Sequence, residues 1–404
     1  MNIAVAQSGG PTVAINASLC GVIKGGLENS EIDKIYGSQN GIEGIINDRL
    51  VVLSDDFSDP QNLQLLKNTP STALGSCRYK MPSISDGAEV YEKILNRFLD
   101  YNITMFFYIG GNDSMDTVDK LSAYFSAKNQ DIKVIGIPKT IDNDLCETDH
   151  TPGFGSASKY LTTTMSEIIC DSSVYSAPSV TIIEVMGRHA GWLTASSCLL
   201  HRDGEVAPHL IYLPEREFSV AQFIADVMEI QAKHKAVIVA VSEGIMVSDP
   251  KYNTSDFQSG AVDSFGHKYL SGIGKCLERI VKQEIKCKVR SIELNVCQRC
   301  ASHIASKTDL DEAEAIGTAA IGTAISGKTG VMMTIIRESN SPYTYRFDSA
   351  PASEIANKEK RFPDKWINCK GNNINSEAKD YFSPLIQGEV EILYKDGLPV
   401  HVKI

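Results

Sequence analysis

Short apolar runs alternate with stretches of helical spacing along this chain, and that alternation constrains its fold more than any other feature. The runs are Ile3 to Ala6, Thr104 to Ile109, Val134 to Ile137, Thr181 to Val185, Leu210 to Leu213, Val237 to Val241 and Ser291 to Leu294. Helical patterns lie between most of them, for example Val13 to Leu27, Met115 to Phe125 and Val220 to Ala232. Parallel strands need a long crossover, usually a helix, so the pattern predicts parallel α/β layers with helices on both faces. A chain of 404 residues makes about two or three such domains. No internal repeat or low-complexity linker interrupts it, and the polar stretch Ser248 to Gly260 reads as a surface loop. From Arg337 onward the character changes, with Ser341-Pro342, the charged run Lys358-Glu359-Lys360-Arg361 and Gly371-Asn372-Asn373. That stretch reads as a C-terminal extension wrapped onto the body.

A net charge of −11 argues against nucleic acid or an anionic membrane as the main partner. An anionic small substrate stays open, because a basic pocket can sit in an acidic protein. No apolar run reaches the length of a membrane span, and the N-terminus has no basic region leading into an apolar core. The ten cysteines form no disulfide-like framework, so a reducing cytoplasm is the expected compartment. Cys297 and Cys300 form a CxxC without a second one at zinc-site spacing, and packing is its plainer reading. The histidines, His189 and His201 included, form no metal-ligand pair and read as structural.

The chemistry concentrates at strand ends. Pro138-Lys139-Thr140-Ile141-Asp142-Asn143-Asp144 follows the run ending at Ile137. It places two carboxylates beside a hydroxyl and a lysine, at the end of a strand where open α/β sheets bind ligands. Ser8-Gly9-Gly10 and Gly110-Gly111-Asn112-Asp113-Ser114 each follow a strand and open a helix. Glycine lets backbone N–H groups approach an anion, and a helix N-terminus favours negative charge. Neither turn is a Walker A loop or GxGxxG, and a tight strand-to-helix turn is the plainer reading of the first. Asn112 can orient a magnesium-bound water or a phosphate oxygen. Asp113 is odd beside a phosphate, since like charges at about 4 Å repel by roughly 4 kcal/mol at an effective dielectric of 20. Helix N-capping is the plainer reading of Asp113. Leu74-Gly75-Ser76-Cys77-Arg78-Tyr79-Lys80 supplies a third loop with two cations.

Taken together, these motifs resemble the 6-phosphofructokinases. Ser8-Gly9-Gly10, Leu74 to Arg78, Gly110 to Ser114, Thr140 to Asp144, Met186-Gly187-Arg188, Ser242-Glu243-Gly244 and Gln298-Arg299 occur in that family's order from residue 3 to about 335. The resemblance implies two Rossmann-like α/β domains with the active site in the cleft between them. Residues 1–153 with 298–345 would bind the phosphoryl donor, 154–297 would bind fructose 6-phosphate, and 346–404 would pack on the body. ATP users of the family generally have glycine where this chain has Asp113 and Lys139, and pyrophosphate users resemble it at both positions. Asp113 would crowd and repel the α-phosphate of ATP, and Lys139 would bring a cation to the moving phosphoryl group. Ala356-Asn357-Lys358-Glu359-Lys360 also looks like the pyrophosphate branch.

The reaction implied is reversible transfer from pyrophosphate to fructose 6-phosphate, with magnesium as cofactor, in a homodimer or homotetramer. The resemblance makes Asp142 the general base for the sugar's C1 hydroxyl, although Asp142 alone also reads as a loop aspartate bonding its own backbone. Asp144 would position magnesium or Asp142, and Thr140 would bond the transferring group or the sugar. Lys139 and Arg188 would stabilise the moving phosphoryl. Met186, Gly187, Arg188 and Glu243 would line the sugar site. Arg290 and Arg299 would clamp the 6-phosphate, a task that suits the planar guanidinium, with a surface ion pair the alternative for Arg290. Gly10, Arg78 and Lys80 would hold pyrophosphate. Three departures from the family stand out. Asn112 replaces a common aspartate, Gln298-Arg299 lacks its usual neighbours, and no lysine or arginine lies between Lys159 and Arg188. The missing cation would come from elsewhere, such as the Lys358 to Arg361 run. An ATP-dependent phosphofructokinase, a regulatory subunit of the same fold and an enzyme of another sugar phosphate, such as sedoheptulose 7-phosphate, are the competing readings.

Overall fold

The computed structural model describes residues 1–247 and 272–404, so the expected loop from Ser248 to Gly260 lies outside the described residues. The strands of the two main sheets are β1 (Asn2–Gln7), β2 (Lys34–Ser38), β3 (Leu50–Val52), β4 (Ile103–Gly110), β5 (Lys133–Pro138), β6 (Ser179–Val185), β7 (Leu210–Tyr212), β8 (Ala236–Ser242), β9 (Lys288–Glu293), β10 (Val331–Asn340) and β11 (Tyr343–Pro351). They build a seven-stranded sheet in the order β11-β10-β5-β4-β1-β2-β3 and a four-stranded sheet in the order β7-β8-β6-β9. The smaller sheet is parallel throughout. In the larger one, β3 and β11 alone run antiparallel to their neighbours.

Alternate residues of the buried strands face opposite helical layers, as the two-residue period requires. Ile3, Val5, Phe107 and Ile109 pack with Ile15, Leu19 and Ile23 of the helix Ile15–Leu27. Ala4, Ala6, Phe106 and Tyr108 pack on the other face with Tyr91, Ile94 and Phe98 of the helix Ala88–Asp100. The chain leaves β1 for β2 on one side and later reaches β4 on the other. The crevice between β1 and β4 is therefore a topological switch point, where open α/β sheets take their ligands.

Ser341-Pro342 falls in the stretch expected to wrap onto the body. It is the turn of the antiparallel hairpin β10–β11, which runs through residue 345 to Pro351. Beyond it, Phe362, Ile367, Ile374, Tyr381, Phe382 and Leu385 join Phe154, Trp192 and Leu193 in one buried cluster. The N–H of Val402 donates to the hydroxyl of Thr69 at 2.9 Å, which ties the chain's end back to the first sheet's side. Among the described residues no helix is long and apolar enough to cross a membrane.

Behind the β5 turn, His150 sits 1 % exposed between two carboxylates. Its Nδ1 lies 2.8 Å from Asp149 Oδ2 and its Nε2 lies 2.8 Å from Glu312 Oε2. Burial opposes its charge, but Glu312 and Asp149 prevail and push its pKa from 6.5 up to about 9. The folded state thus holds a proton that the unfolded chain releases, so this stabilisation is complete below about pH 6.5 and is lost as pH rises through about 9. His150→Gln leaves buried Glu312 with the Tyr343 hydroxyl but without a counter-charge, and is expected to cost about 3–5 kcal/mol at neutral pH. Thermal melts across that range check it: between about pH 6.5 and 9 the wild type should lose stability relative to the variant. Parallel pH curves for the two proteins would refute the assignment.

Candidate active site

The turns after β1, β4 and β5 converge with those after β6, β8 and β9 on a cavity of about 540 Å³. Every one of these turns leaves the C-terminal end of a parallel strand, where backbone N–H groups and the first turns of following helices face the opening. Ser8 to Thr12, Gly111 to Ser114 and Lys139 to Asp142 line one wall, with Asp144, and Met186, Arg188, His189, Glu243 and Arg299 line the other. Arg78 completes the lining from the side, and Asn357 and Glu359 come from the C-terminal segment.

Close packing of cations explains the two glycines after β1. Gly9 has φ +78°, and a Cβ there would lie 3.3 Å from Lys139 Nζ, while one on Gly10 would lie 3.0 Å from an Arg299 guanidinium nitrogen. Lys139 itself is 2 % exposed, and its Nζ donates to the Gly10 carbonyl at 2.7 Å. Burial pulls its pKa down to about 8, with Asp142 opposing and Arg299 adding to the fall. The guanidinium Nε of Arg188 and the hydroxyl of Thr12 are buried without a hydrogen-bond partner among the described residues. Both belong to cavity-lining side chains.

The two carboxylates of the β5 turn have different surroundings. The Thr140 hydroxyl donates to Asp142 Oδ2 at 3.3 Å and accepts from the Asp142 N–H at 3.1 Å. Burial raises the Asp142 pKa, against the pull of Thr140, Lys139, Arg188 and Arg299. Asp144 is pushed up to about 7 by burial and then by Asp142. Glu243 is also pushed to about 7, by burial first and Asp142 second. Carboxylates poised this way around one cavity suit proton transfer.

A family model described as phosphofructokinase matches residues 2–323. The chain belongs to the phosphofructokinase family. It is 40 % identical over 406 residues to a Xanthomonas campestris protein named pyrophosphate–fructose 6-phosphate 1-phosphotransferase, spanning 100 % of this chain and 96 % of that one. A Halomonas elongata protein of the same name is 38 % identical over 406 residues, with the same 100 % and 96 % spans. The crystal structure of a pyrophosphate-dependent phosphofructokinase from Nitrosospira multiformis superposes with a TM-score of 0.89 at 36 % identity, covering 100 % of this chain and 96 % of that one.

Most of the residues expected from the sequence meet in this phosphofructokinase's cavity: Gly10, Arg78, Asp113, Lys139, Thr140, Asp142, Asp144, Met186, Arg188, Glu243 and Arg299. Gly187 stands just behind the lining at φ +135°, where a Cβ would come within 2.7 Å of the Ala190 carbonyl. Arg299 keeps its place through its neighbour, since buried Gln298 accepts from the Met186 N–H at 3.2 Å.

Several expectations need correction. Arg290 lies on β9, outside the cavity lining of this chain, and pairs with Asp171 at 3.3 Å. Lys80 is exposed and also outside the lining. Asp113 is no N-cap, because Gly111 caps the helix Asn112–Ala127 and Asp113 sits in its first turn, where the helix dipole favours a carboxylate. Asn112 lines the cavity, yet its amide is engaged by backbone: Nδ2 donates to the Lys358 carbonyl and Oδ1 accepts from the Asn357 N–H. Its side chain thereby tethers the C-terminal segment to the start of this helix. The Lys358 to Arg361 run brings Glu359 to the cavity wall and not the expected cation. His189, read as structural, lines the cavity with its Nδ1 3.7 Å from Glu359 Oε2. Thr12 was within reach of sequence reading, two residues past the glycine turn, whereas nothing local in the sequence marks Asn357 or Glu359 as cavity residues.

Proposed function

We propose that this phosphofructokinase moves a phosphoryl group from pyrophosphate to the 1-hydroxyl of fructose 6-phosphate, giving fructose 1,6-bisphosphate and phosphate. The carrying observation is that Asp113 and Lys139 both line the cavity at the turns after β4 and β5. A buried ammonium there compensates the charge of a small, dense anion, and a carboxylate in the adjacent turn repels the α-phosphate of a longer donor. The turns of the larger sheet, residues 1–153 with 298–345, hold the donor, and residues 154–297 hold the sugar. The domain reading and the roles below rest on this placement together with the family resemblance.

Asp142 takes the proton from the C1 hydroxyl as the C1 oxygen bonds to phosphorus. The bridging P–O bond breaks and phosphate leaves, and in the reverse direction Asp142 returns the proton. Thr140 orients Asp142 and the transferring group. Lys139, Arg188, Arg78 and Arg299 stabilise charge spread over the phosphoryl oxygens, which is most of what phosphoryl transfer demands of a protein. Glu243 accepts from sugar hydroxyls. Magnesium is the implied cofactor. The described residues contain no cluster of three His, Cys, Asp or Glu side chains able to hold an ion. Asp144 and Asp113, carboxylates that line the cavity, would hold magnesium together with the substrate's phosphates, where it would neutralise pyrophosphate charge. A homodimeric or homotetrameric assembly and a cytoplasmic location are carried over from the resemblance.

Initial rates with magnesium, fructose 6-phosphate and either pyrophosphate or ATP at equal concentration test the reading. Pyrophosphate should support turnover and ATP should not. The double variant Asp113→Gly with Lys139→Gly should gain ATP turnover, and no gain would overturn the steric and charge account of donor choice. Wild-type activity with ATP alone would overturn the proposed reaction itself.

A further inference from the structure

Between the two site carboxylates stands Asn143, fully buried and held in the left-handed region at φ 54°. Asparagine tolerates that region better than most residues, but the conformation still has to be enforced by its surroundings. Both ends of its side chain are gripped by the C-terminal segment. Nδ2 donates to the Tyr381 hydroxyl at 2.9 Å, and Oδ1 accepts from Lys360 Nζ at 3.4 Å.

Each gripping group is anchored in turn. The Tyr381 hydroxyl donates to the Asp149 carbonyl at 2.6 Å. Lys360 Nζ donates to the carbonyls of Thr148 and Asp149 at 3.1 and 2.8 Å, so with Asn143 its three N–H donors are committed. The Lys360 backbone N–H donates to the Asp144 carbonyl at 2.7 Å. The Arg337 guanidinium lies 4.4 Å from the centre of the Tyr381 ring and donates to the Tyr381 carbonyl at 2.9 Å. On the other side of the turn, the Thr151 hydroxyl donates to the Thr140 carbonyl at 2.8 Å. Neither Lys360 nor Tyr381 lines the cavity.

We propose that Lys360 and Tyr381 are positioning residues, which clamp Asn143 and so fix the direction in which the Asp142 carboxylate points. The backbone of Asn143 is the hinge between Asp142 and Asp144, and release of its side chain lets the turn leave the left-handed conformation. A displacement of about 1 Å at a reacting group costs on the order of 10²-fold in rate. The C-terminal segment is thus part of the catalytic apparatus by mechanics, without touching substrate.

Two variants test this in the full-length protein. Tyr381→Phe removes one hydroxyl and keeps the ring on Arg337, and Lys360→Met removes the ammonium and keeps most of the chain length. Turnover at saturating substrates should fall between about 10- and 10²-fold in each, with KM for both substrates within about threefold of wild type. Amide hydrogen exchange in residues 140–144 should accelerate, while exchange in β5 itself stays as in wild type. Unchanged turnover in Tyr381→Phe, or lower turnover with unchanged exchange in the turn, would overturn the proposal. So would a loss that appears in KM alone. Should Lys360→Met fail to fold, Tyr381→Phe decides on its own. The catalytic part of this inference rests on the phosphoryl-transfer reading above. The exchange measurement needs no substrate, so failure of the donor assignment and failure of the clamp are separable.

Discussion

Asp142→Asn is expected to lower turnover of fructose 6-phosphate by about 10²–10⁴-fold at neutral pH, the range for removing a positioned general base. Asparagine keeps the size of the side chain and an oxygen that can accept from the Thr140 hydroxyl, now 3.3 Å from Asp142 Oδ2. What disappears is the proton acceptor. The sign of the pH dependence follows from burial, which raises the Asp142 pKa above the ordinary carboxylate value of 3.8. The ionised form is the active base, so wild-type turnover should fall as pH drops through the raised value. Asp144 and Glu243, both near 7, add their own steps to that limb, and the neighbouring carboxylates titrate jointly. The asparagine variant should lack the contribution of Asp142, and the steps of Asp144 and Glu243, which the Asp142 charge helps to raise, should move to lower pH. Steady-state rates from mildly acidic to alkaline pH check the claim. Turnover within tenfold of wild type would mean that another group takes the C1 proton.

How much of this was legible beforehand depended on whether the deciding contacts were local. The expected strands Ile3 to Ala6 and Val134 to Ile137 lie within β1 and β5, because each is an apolar run buried on both faces. The glycine turns and the Lys139 to Asp144 segment could be placed at the cavity because strand, turn and helix start follow one another in sequence. By contrast β2, β10 and β11 were not singled out. The hairpin strand β11 alternates half-buried and exposed residues, a pattern without an apolar run, and Ser341-Pro342 read as part of the C-terminal extension. Asn112 shows the limit for side chains. Its position predicted a cavity wall correctly, but its partners Asn357 and Lys358 stand about 245 residues away in sequence. Arg290 shows the converse: a motif gives the residue, and only the sheet order, with β9 at the edge, shows that it stands apart from its own chain's cavity.

Lys139→Met separates catalysis from stability more sharply than any other substitution in this site. The methionine should lower turnover with pyrophosphate by about 10²–10³-fold, the usual cost of removing one preorganised donor from a transition state. An ordinary core substitution with so large an effect would also weaken the fold. Here the opposite is expected. The depression of the Lys139 pKa from 10.5 to about 8 means that the unfolded chain binds the proton more tightly than the native protein. Holding this ammonium in the fold therefore costs on the order of 3 kcal/mol at neutral pH, and native stability rises with pH from about 8 to 10.5. Methionine removes that cost. It forfeits the bond to the Gly10 carbonyl, now 2.7 Å long, a loss of about 1–3 kcal/mol for a buried acceptor. The melting temperature of the variant should thus equal or exceed that of the wild type at pH 7 while its turnover collapses. The cationic form is the active one, so wild-type turnover should also decline as pH rises through about 8, and the residual turnover of the variant should not show that decline. Arginine should not rescue activity, because its planar fork is wider than an ammonium and the space beside Gly9 and Gly10 is already shared with Arg299. A variant that melts well below wild type, or that keeps its turnover with pyrophosphate, would show that Lys139 supports the fold and not the moving phosphoryl group.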